Sequence, residues 1–319
     1  MEAVPLTLPH PQAQGSPSSS KIHGSPQRLL TLRPLELWHL ASLDAPTVAV
    51  VWSLSFAWAA GARLAAWIPP LLAFTVWAVY IFDRLLDARA ALHTAELSRL
   101  RERHYFHWRY RRALLPAAIV SAFAAAGLIL ACMPMAARER DSLLAAASLA
   151  YFARVHSGHR IRPFLSALLT KELLVGLLFT TGCVLPALGA LHAAHGALWP
   201  LACAAAFFAA LAWLNCHAID RWESDIRRES EIRPEPEARR GSPASSGFLL
   251  TAAGVLLASI MLFSYPRIGA LLFAGAASAL LLALLDRQRE KLSAVTLRTA
   301  ADLVLLAPVP LLALAWLAR

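Results

Sequence analysis

Long apolar runs follow one another along almost the whole chain, near residues 37–60, 64–82, 113–135, 142–153, 164–190, 197–215, 248–265, 268–285 and 299–318. A helix needs about 20 largely apolar residues to cross the hydrocarbon of a bilayer. Eight of the runs meet that need; the fourth is short, with about a dozen uncharged residues after Asp141. Composition agrees. Hydrophobic residues are 58% of the 319 and charged residues 16%, and mean hydropathy is +0.53, whereas a soluble domain carries about 25% charge. Two soluble domains, a disordered chain, a collagen and a disulfide scaffold are all excluded. Every backbone polar group must be paired within the protein in lipid, so the runs are helices, and a barrel would show short alternating segments instead. The expected fold is all-α, a polytopic membrane bundle of about nine transmembrane helices.

The basic residues fix the expected topology and support the short fourth span. With nine spans and a cytoplasmic N-terminus, 24 Lys and Arg fall inside and five outside (Arg63, Arg138, Arg140, Arg267 and Arg319), with Lys171 within span five. Without span four the split becomes 13 inside and 16 outside. Short basic loops resist translocation, so nine spans is the reading the charges favour. The same placement explains the net charge of +10 without nucleic acid, since no basic stripe is interleaved with aromatics.

Residues 1–34 are rich in Pro, Ser, Gln and Gly and read as a disordered tail, leaving 35–319 as the membrane domain. The four cysteines lie in or at the ends of apolar runs with no CxxC spacing, so no zinc site or disulfide framework is expected. Pro69 and Pro70 belong at the outer end of span two, and Pro186 should kink or end span five.

Two acidic clusters mark the cytoplasmic ends of spans two and six. Span two ends in Tyr80-Ile81-Phe82-Asp83-Arg84-Leu85-Leu86-Asp87. Asp83 and Asp87 are four apart, so they share a helix face and repel. Span six ends in Asn215-Cys216-His217-Ala218-Ile219-Asp220-Arg221-Trp222-Glu223-Ser224-Asp225. Each cluster alone reads equally well as solvated charge at a helix end. Together, on one side and at matching depth, they point to a site, because carboxylates are expensive near the membrane. Sets of carboxylate oxygens suit Mg²⁺, which commonly binds substrate phosphates as well. Two facing sets could hold a diphosphate through metal ions.

With these residues the chain resembles the UbiA-type intramembrane prenyltransferases over about residues 35–318. Smaller points of similarity are Leu43-Asp44-Ala45-Pro46, Arg160-Ile161-Arg162-Pro163 and Arg298-Thr299-Ala300-Ala301-Asp302. The resemblance implies a helical bundle with a membrane-open cavity and Mg²⁺-dependent transfer of a prenyl group from a prenyl diphosphate to an aromatic or other lipophilic acceptor. It implies Asp83, Asp87 and Asp220 as catalytic metal ligands, joined by Glu223 or Asp225. It implies Arg84, Arg162, Lys171 and Arg221 as diphosphate contacts, with Tyr80 and Asn215 also binding substrate. Trp77, Tyr80 and Phe179 would border the allylic cation. The family pattern N(D/Q)xxDxxxD is incomplete here, since Val79 and Tyr80 stand at its first two positions, and Ser224 replaces the second acid of DxxxD.

Other polar residues have blander readings. Lys171-Glu172 reads as an internal salt bridge or a phosphate-facing lysine. Asp302 is expected to pair with a neighbouring Arg, and Arg99–Arg112, with His104 and His107, to form an amphipathic helix on anionic headgroups. The rival functions are a UbiA-like protein without catalysis that binds lipid or a partner, and a small transporter. No inverted repeat supports the transporter. The expected location is a bacterial inner membrane with the acidic motifs cytoplasmic; membrane lipid is the expected environment, and no obligate protein partner is inferred.

Overall fold

The computed structural model describes residues 34–93, 102–156, 171–193, 198–230 and 242–318. Residues 1–33 of the tail, Arg162, and residues 231–241 between spans six and seven lie outside the described residues. The described chain is helical, with no strand. Its helices are α1 (Pro34–Leu40), α2 (Asp44–Ala59), α3 (Ile68–His93), α4 (Glu102–Arg109), α5 (Arg111–Cys132), α6 (Met135–His156), α7 (Lys171–Ala193), α8 (Trp199–Ser230), α9 (Pro243–Ser264), α10 (Pro266–Arg287), α11 (Ala294–Val304) and α12 (Val309–Leu317).

Six segments among the described residues are long and apolar enough to cross a membrane, and α1 with α2 makes a seventh if that bent pair counts as one span. The protein is therefore a multi-pass helical membrane protein. The count falls short of nine at α3 and α6. Both helices are long, at 26 and 22 residues. Both also carry charge, Asp83, Arg84, Asp87 and Arg89 in α3 and Arg138 to Asp141 in α6. The fourth run extends well beyond its expected 142–153, because α6 continues through those charges as helix.

Two expected spans are broken. The first turns by 90° between α1 and α2. Ser42 makes the turn in the left-handed region, at φ 54°, and its Oγ lies 3.3 Å from Nε2 of the buried His107 of α4. Trp77 of α3 holds the same corner by donating to the carbonyl of Ala41 at 2.9 Å. The segment expected as an amphipathic helix forms α4, with His107 packed into the fold and Tyr105 and Arg109 exposed. The last span breaks between α11 and α12, where Pro308 has no N–H to continue the helix. Carbonyls at the break also take side-chain donors: Val304 accepts from Ser278 Oγ at 2.7 Å, besides Ala307 N at 3.4 Å, and Leu305 accepts from Trp52 Nε1 at 2.8 Å. Such repair is required wherever a helix opens inside a membrane. By contrast α7 runs through Pro186 without ending, while Pro69 and Pro70 lie in the first turn of α3, where a missing N–H costs nothing.

Helix α2 is the centre of the bundle. It packs against α3 on one side and against α7, α10, α11 and α12 on the other. Trp52 stacks on Phe208 of α8 with ring centroids 3.9 Å apart, and Phe56 meets the same ring edge-on. Phe207 fills the space over two glycines: a Cβ on Gly254 would come within 2.6 Å of its ring and one on Gly275 within 2.7 Å. In the α9–α10 hairpin the neighbour is backbone, since a Cβ on Gly269 would stand 2.9 Å from the backbone of Leu262. Small residues allow this approach where lipid supplies little hydrophobic drive between helices. At the other end of the hairpin Asp286 accepts from Ala244 N at 2.8 Å, Ser242 Oγ at 3.1 Å and Trp222 Nε1 at 2.6 Å. One buried carboxylate thereby caps α9 and ties it to α8 and α10.

Candidate functional site

Polar side chains collect at one end of the bundle, where α2 and α11 begin and the charged halves of α3 and α8 lie. Helices α3 and α8 do not pack along each other; α3 packs on α2, α4 and α5, and α8 on α7, α9, α10 and α11. Tyr80 of α3 and Cys216 of α8 are nevertheless close enough to influence one another electrostatically. Both side chains are partly accessible. Asp44, Asp302 and Arg84 also act on Tyr80, and Lys171, Glu172, Arg84 and Asp302 act on Cys216. The sequence-chosen Tyr80, Arg84 and Lys171 thus share one electrostatic neighbourhood. Lys171 is exposed at the first described position of α7, and Trp77 spends its N–H on Ala41. Phe179 packs near Phe208, with centroids 6.2 Å apart, as part of the aromatic core.

The deepest polar group of the site is a knot of four residues from four helices. Nδ1 of His39 (α1) lies 2.7 Å from Oδ2 of Asp44 (α2) and 3.3 Å from Oδ2 of Asp302 (α11). The backbone N–H of Ala45 donates to the other oxygen of Asp44 at 2.9 Å, which suits a carboxylate at a helix N-terminus. Asn215 of α8 donates from Nδ2 to Oδ1 of Asp302 at 3.4 Å. Asn215 is buried, and its Oδ1 has no hydrogen-bond partner. An unpaired buried carbonyl of this kind costs about 1–3 kcal/mol.

The next layer outward is made of ion pairs. Arg298 of α11 pairs with Glu223 of α8, and both side chains are nearly buried. Asp225 lies 3.5 Å from Arg221 and 3.5 Å from Arg289. The two acids expected to stand in for the missing ligand at Ser224 are therefore engaged by arginines. Ser224 turns its hydroxyl back to donate to the carbonyl of Asp220 at 2.9 Å. Asp220 itself is exposed, while Asp83 and Asp87 are half-buried on α3 and partnered within the protein.

Asp302 differs from its expected role. Its neighbours are His39 and Asn215, and the nearby Arg298 turns to Glu223 instead. His39 carried no signal in the sequence, because a single histidine in Glu36-Leu37-Trp38-His39 has no motif around it. Asp44 was visible only as part of Leu43-Asp44-Ala45-Pro46. A buried charge at the start of an apolar run was the one available hint, since such a group needs a partner.

A separate cleft of about 380 Å³ opens at the other end of α2, bordered by Leu54, Trp58, Arg63, Pro69, Leu312 and Trp316. Its lining is mostly apolar and it holds no acidic residue. No protein-family model, curated protein or solved structure matches this chain.

Proposed function

We propose that the protein is a membrane-embedded, Mg²⁺-dependent prenyltransferase of UbiA type, moving a prenyl group from a prenyl diphosphate to an aromatic or other lipophilic acceptor. The observation that carries this reading is the polar end of the bundle, where Tyr80 and Arg84 of α3, Cys216 of α8 and Lys171 of α7 lie close enough to act on one another. Asp83 and Asp87 lie on the same part of α3 and Asp220 one turn beyond Cys216 on α8, while the core of the bundle is apolar. A diphosphate suits such a polar end, and an isoprenoid chain the apolar side chains beyond it. In this reading α3 and α6 complete nine crossings, and the polar end faces the cytoplasm of a bacterial inner membrane.

The donor chemistry fits Mg²⁺ best on α3. Asp83 and Asp87 offer hard oxygens one helical turn apart, and Asp220 adds one from α8. Glu223 and Asp225 would have to share their oxygens with Arg298, Arg221 and Arg289 to join. Bound Mg²⁺ would offset the charge of the diphosphate. Arg84 and Lys171 would hold the same group by charge-assisted hydrogen bonds, with Arg221 available if it releases Asp225. Tyr80, a turn deeper, would present its ring to the cationic end of the prenyl chain. The same arginine pairs favour a second reading, a UbiA-like protein that binds a lipid or a partner without catalysis.

The test is incubation of purified protein with radiolabelled prenyl diphosphates, Mg²⁺ and a membrane lipid extract. A new labelled lipid, absent with Asp83→Ala or Asp220→Ala, is the expected result. Binding without product selects the second reading. Binding that survives both substitutions defeats the site assignment.

A further inference from the structure

The knot of His39, Asp44, Asp302 and Asn215 includes none of the acids that the proposed transfer reaction uses, and it has the geometry of a metal site in its own right. One ligand atom from each of His39, Asp44 and Asp302 can be chosen so that all three lie within 4.8 Å of one another. Donors bound to one small divalent ion at about 2.0–2.2 Å stand about 3–3.5 Å apart, whether the angles are right or tetrahedral. The spacings of 2.7 and 3.3 Å from His39 Nδ1 to the two carboxylates are close to that span.

The second observation is Asn215. It is 5% exposed, it touches Asp302, and its carbonyl oxygen has no donor. The two ends of an amide differ only in which hydrogen bonds they can make. A half-turn of this one would put the oxygen where Nδ2 now lies, against the Asp302 carboxylate. Two oxygens tolerate that approach when a cation lies between them.

We infer that His39, Asp44 and Asp302 bind one first-row divalent cation, with the side-chain oxygen of Asn215 as a fourth ligand. The two carboxylates balance the charge of the ion. The imidazole nitrogen distinguishes the set from the all-oxygen ligands of Mg²⁺ or Ca²⁺ and suits Mn²⁺, Fe²⁺ or Zn²⁺. The Ala45 N–H donates to the other oxygen of Asp44 and so holds that carboxylate in orientation. The ion would join α1, α2, α8 and α11 at the broken first span. The competing occupant is a proton, with an imidazolium bridging two carboxylates. The inference does not depend on the transferase reading, since none of its residues is one of that site's proposed metal ligands.

Purified full-length protein in nanodiscs, stripped with chelator and dialysed against Mn²⁺ or Zn²⁺ alone, tests the site. The expected result is one ion per chain, at least tenfold weaker binding in His39→Ala and in Asp302→Asn, and a smaller loss in Asn215→Ala. Bound Mn²⁺ should show imidazole-nitrogen coupling in pulsed electron paramagnetic resonance. The wild type decides the matter even if a variant does not fold: no stoichiometric ion, or Mn²⁺ without that coupling, overturns the proposal in favour of the proton. Binding that survives in His39→Ala and vanishes in Asp83→Asn belongs to the α3 carboxylates and overturns it too.

Discussion

The indole N–H of Trp52, in the middle of α2, donates to the carbonyl of Leu305 at 2.8 Å, across the break that separates α11 from α12. The residues are 253 positions apart in sequence, and the contact repairs a backbone group that the helix itself has released. Trp52→Phe keeps an aromatic ring against Phe208 but removes the donor. The carbonyl is then left unpaired in an apolar setting, so stability should fall by about 1–3 kcal/mol. Thermal unfolding in detergent, compared with the wild type, measures it; an unchanged midpoint would mean another donor reaches Leu305.

Gly269 and Gly127 should respond in opposite ways to a larger side chain. A Cβ at Gly269 meets the Leu262 backbone at 2.9 Å, whereas one at Gly127 meets nothing within 4 Å. Backbone cannot swing aside as a side chain can. Gly269→Val should cost about 1–3 kcal/mol or more by prying α9 from α10, and Gly127→Ala should be neutral or mildly stabilising through helix propensity. Equal effects in a melting assay would contradict the packing.

The Arg298–Glu223 pair couples α11 to α8 at the polar end of the bundle. Removing one partner strands a nearly buried charge, so Glu223→Ala should destabilise by about 3–5 kcal/mol. Replacing both, as Glu223→Leu with Arg298→Met, should recover most of that loss. A double-mutant cycle in the melting assay gives the coupling energy, and additive losses would show that the pair is not energetically linked.

Val79 is 48% exposed on α3, so a polar replacement there should cost little packing. Val79→Asn restores the side chain that the UbiA pattern carries at this position. In the proposed transferase it should raise Mg²⁺-dependent product formation several-fold with no fall in melting temperature. Product formation at the wild-type rate would mean that a different residue already serves.

The expected topology has its own test. A cysteine at position 233, Arg233→Cys in a background without the four native cysteines, should react with an impermeant maleimide only after the inner face is opened. Labelling of intact spheroplasts would reverse the orientation.

The run of apolar segments determined the class of protein, because each segment must satisfy its own backbone in lipid and can do so only as helix. Pro69 and Pro70 placed the start of α3 for the same local reason. The polar ends of spans two and six were legible as charges that a membrane would exclude without cause. The helix breaks were less legible. Ser42 is an ordinary residue in a left-handed turn, and Pro308 breaks a span while Pro186 leaves α7 continuous, a difference that no local pattern contains.

The tertiary structure alone decided which charges meet. Sequence spacing places Glu223 and Asp225 beside Asp220, but α11 brings Arg298 to Glu223, and the turn after α10 brings Arg289 to Asp225. It also gathers His39, Asp44, Asn215 and Asp302 into one knot. The physical reason is range. Helix formation and membrane insertion depend on neighbours within a few turns, whereas ion pairs and ligand sets form between side chains that only packing makes adjacent.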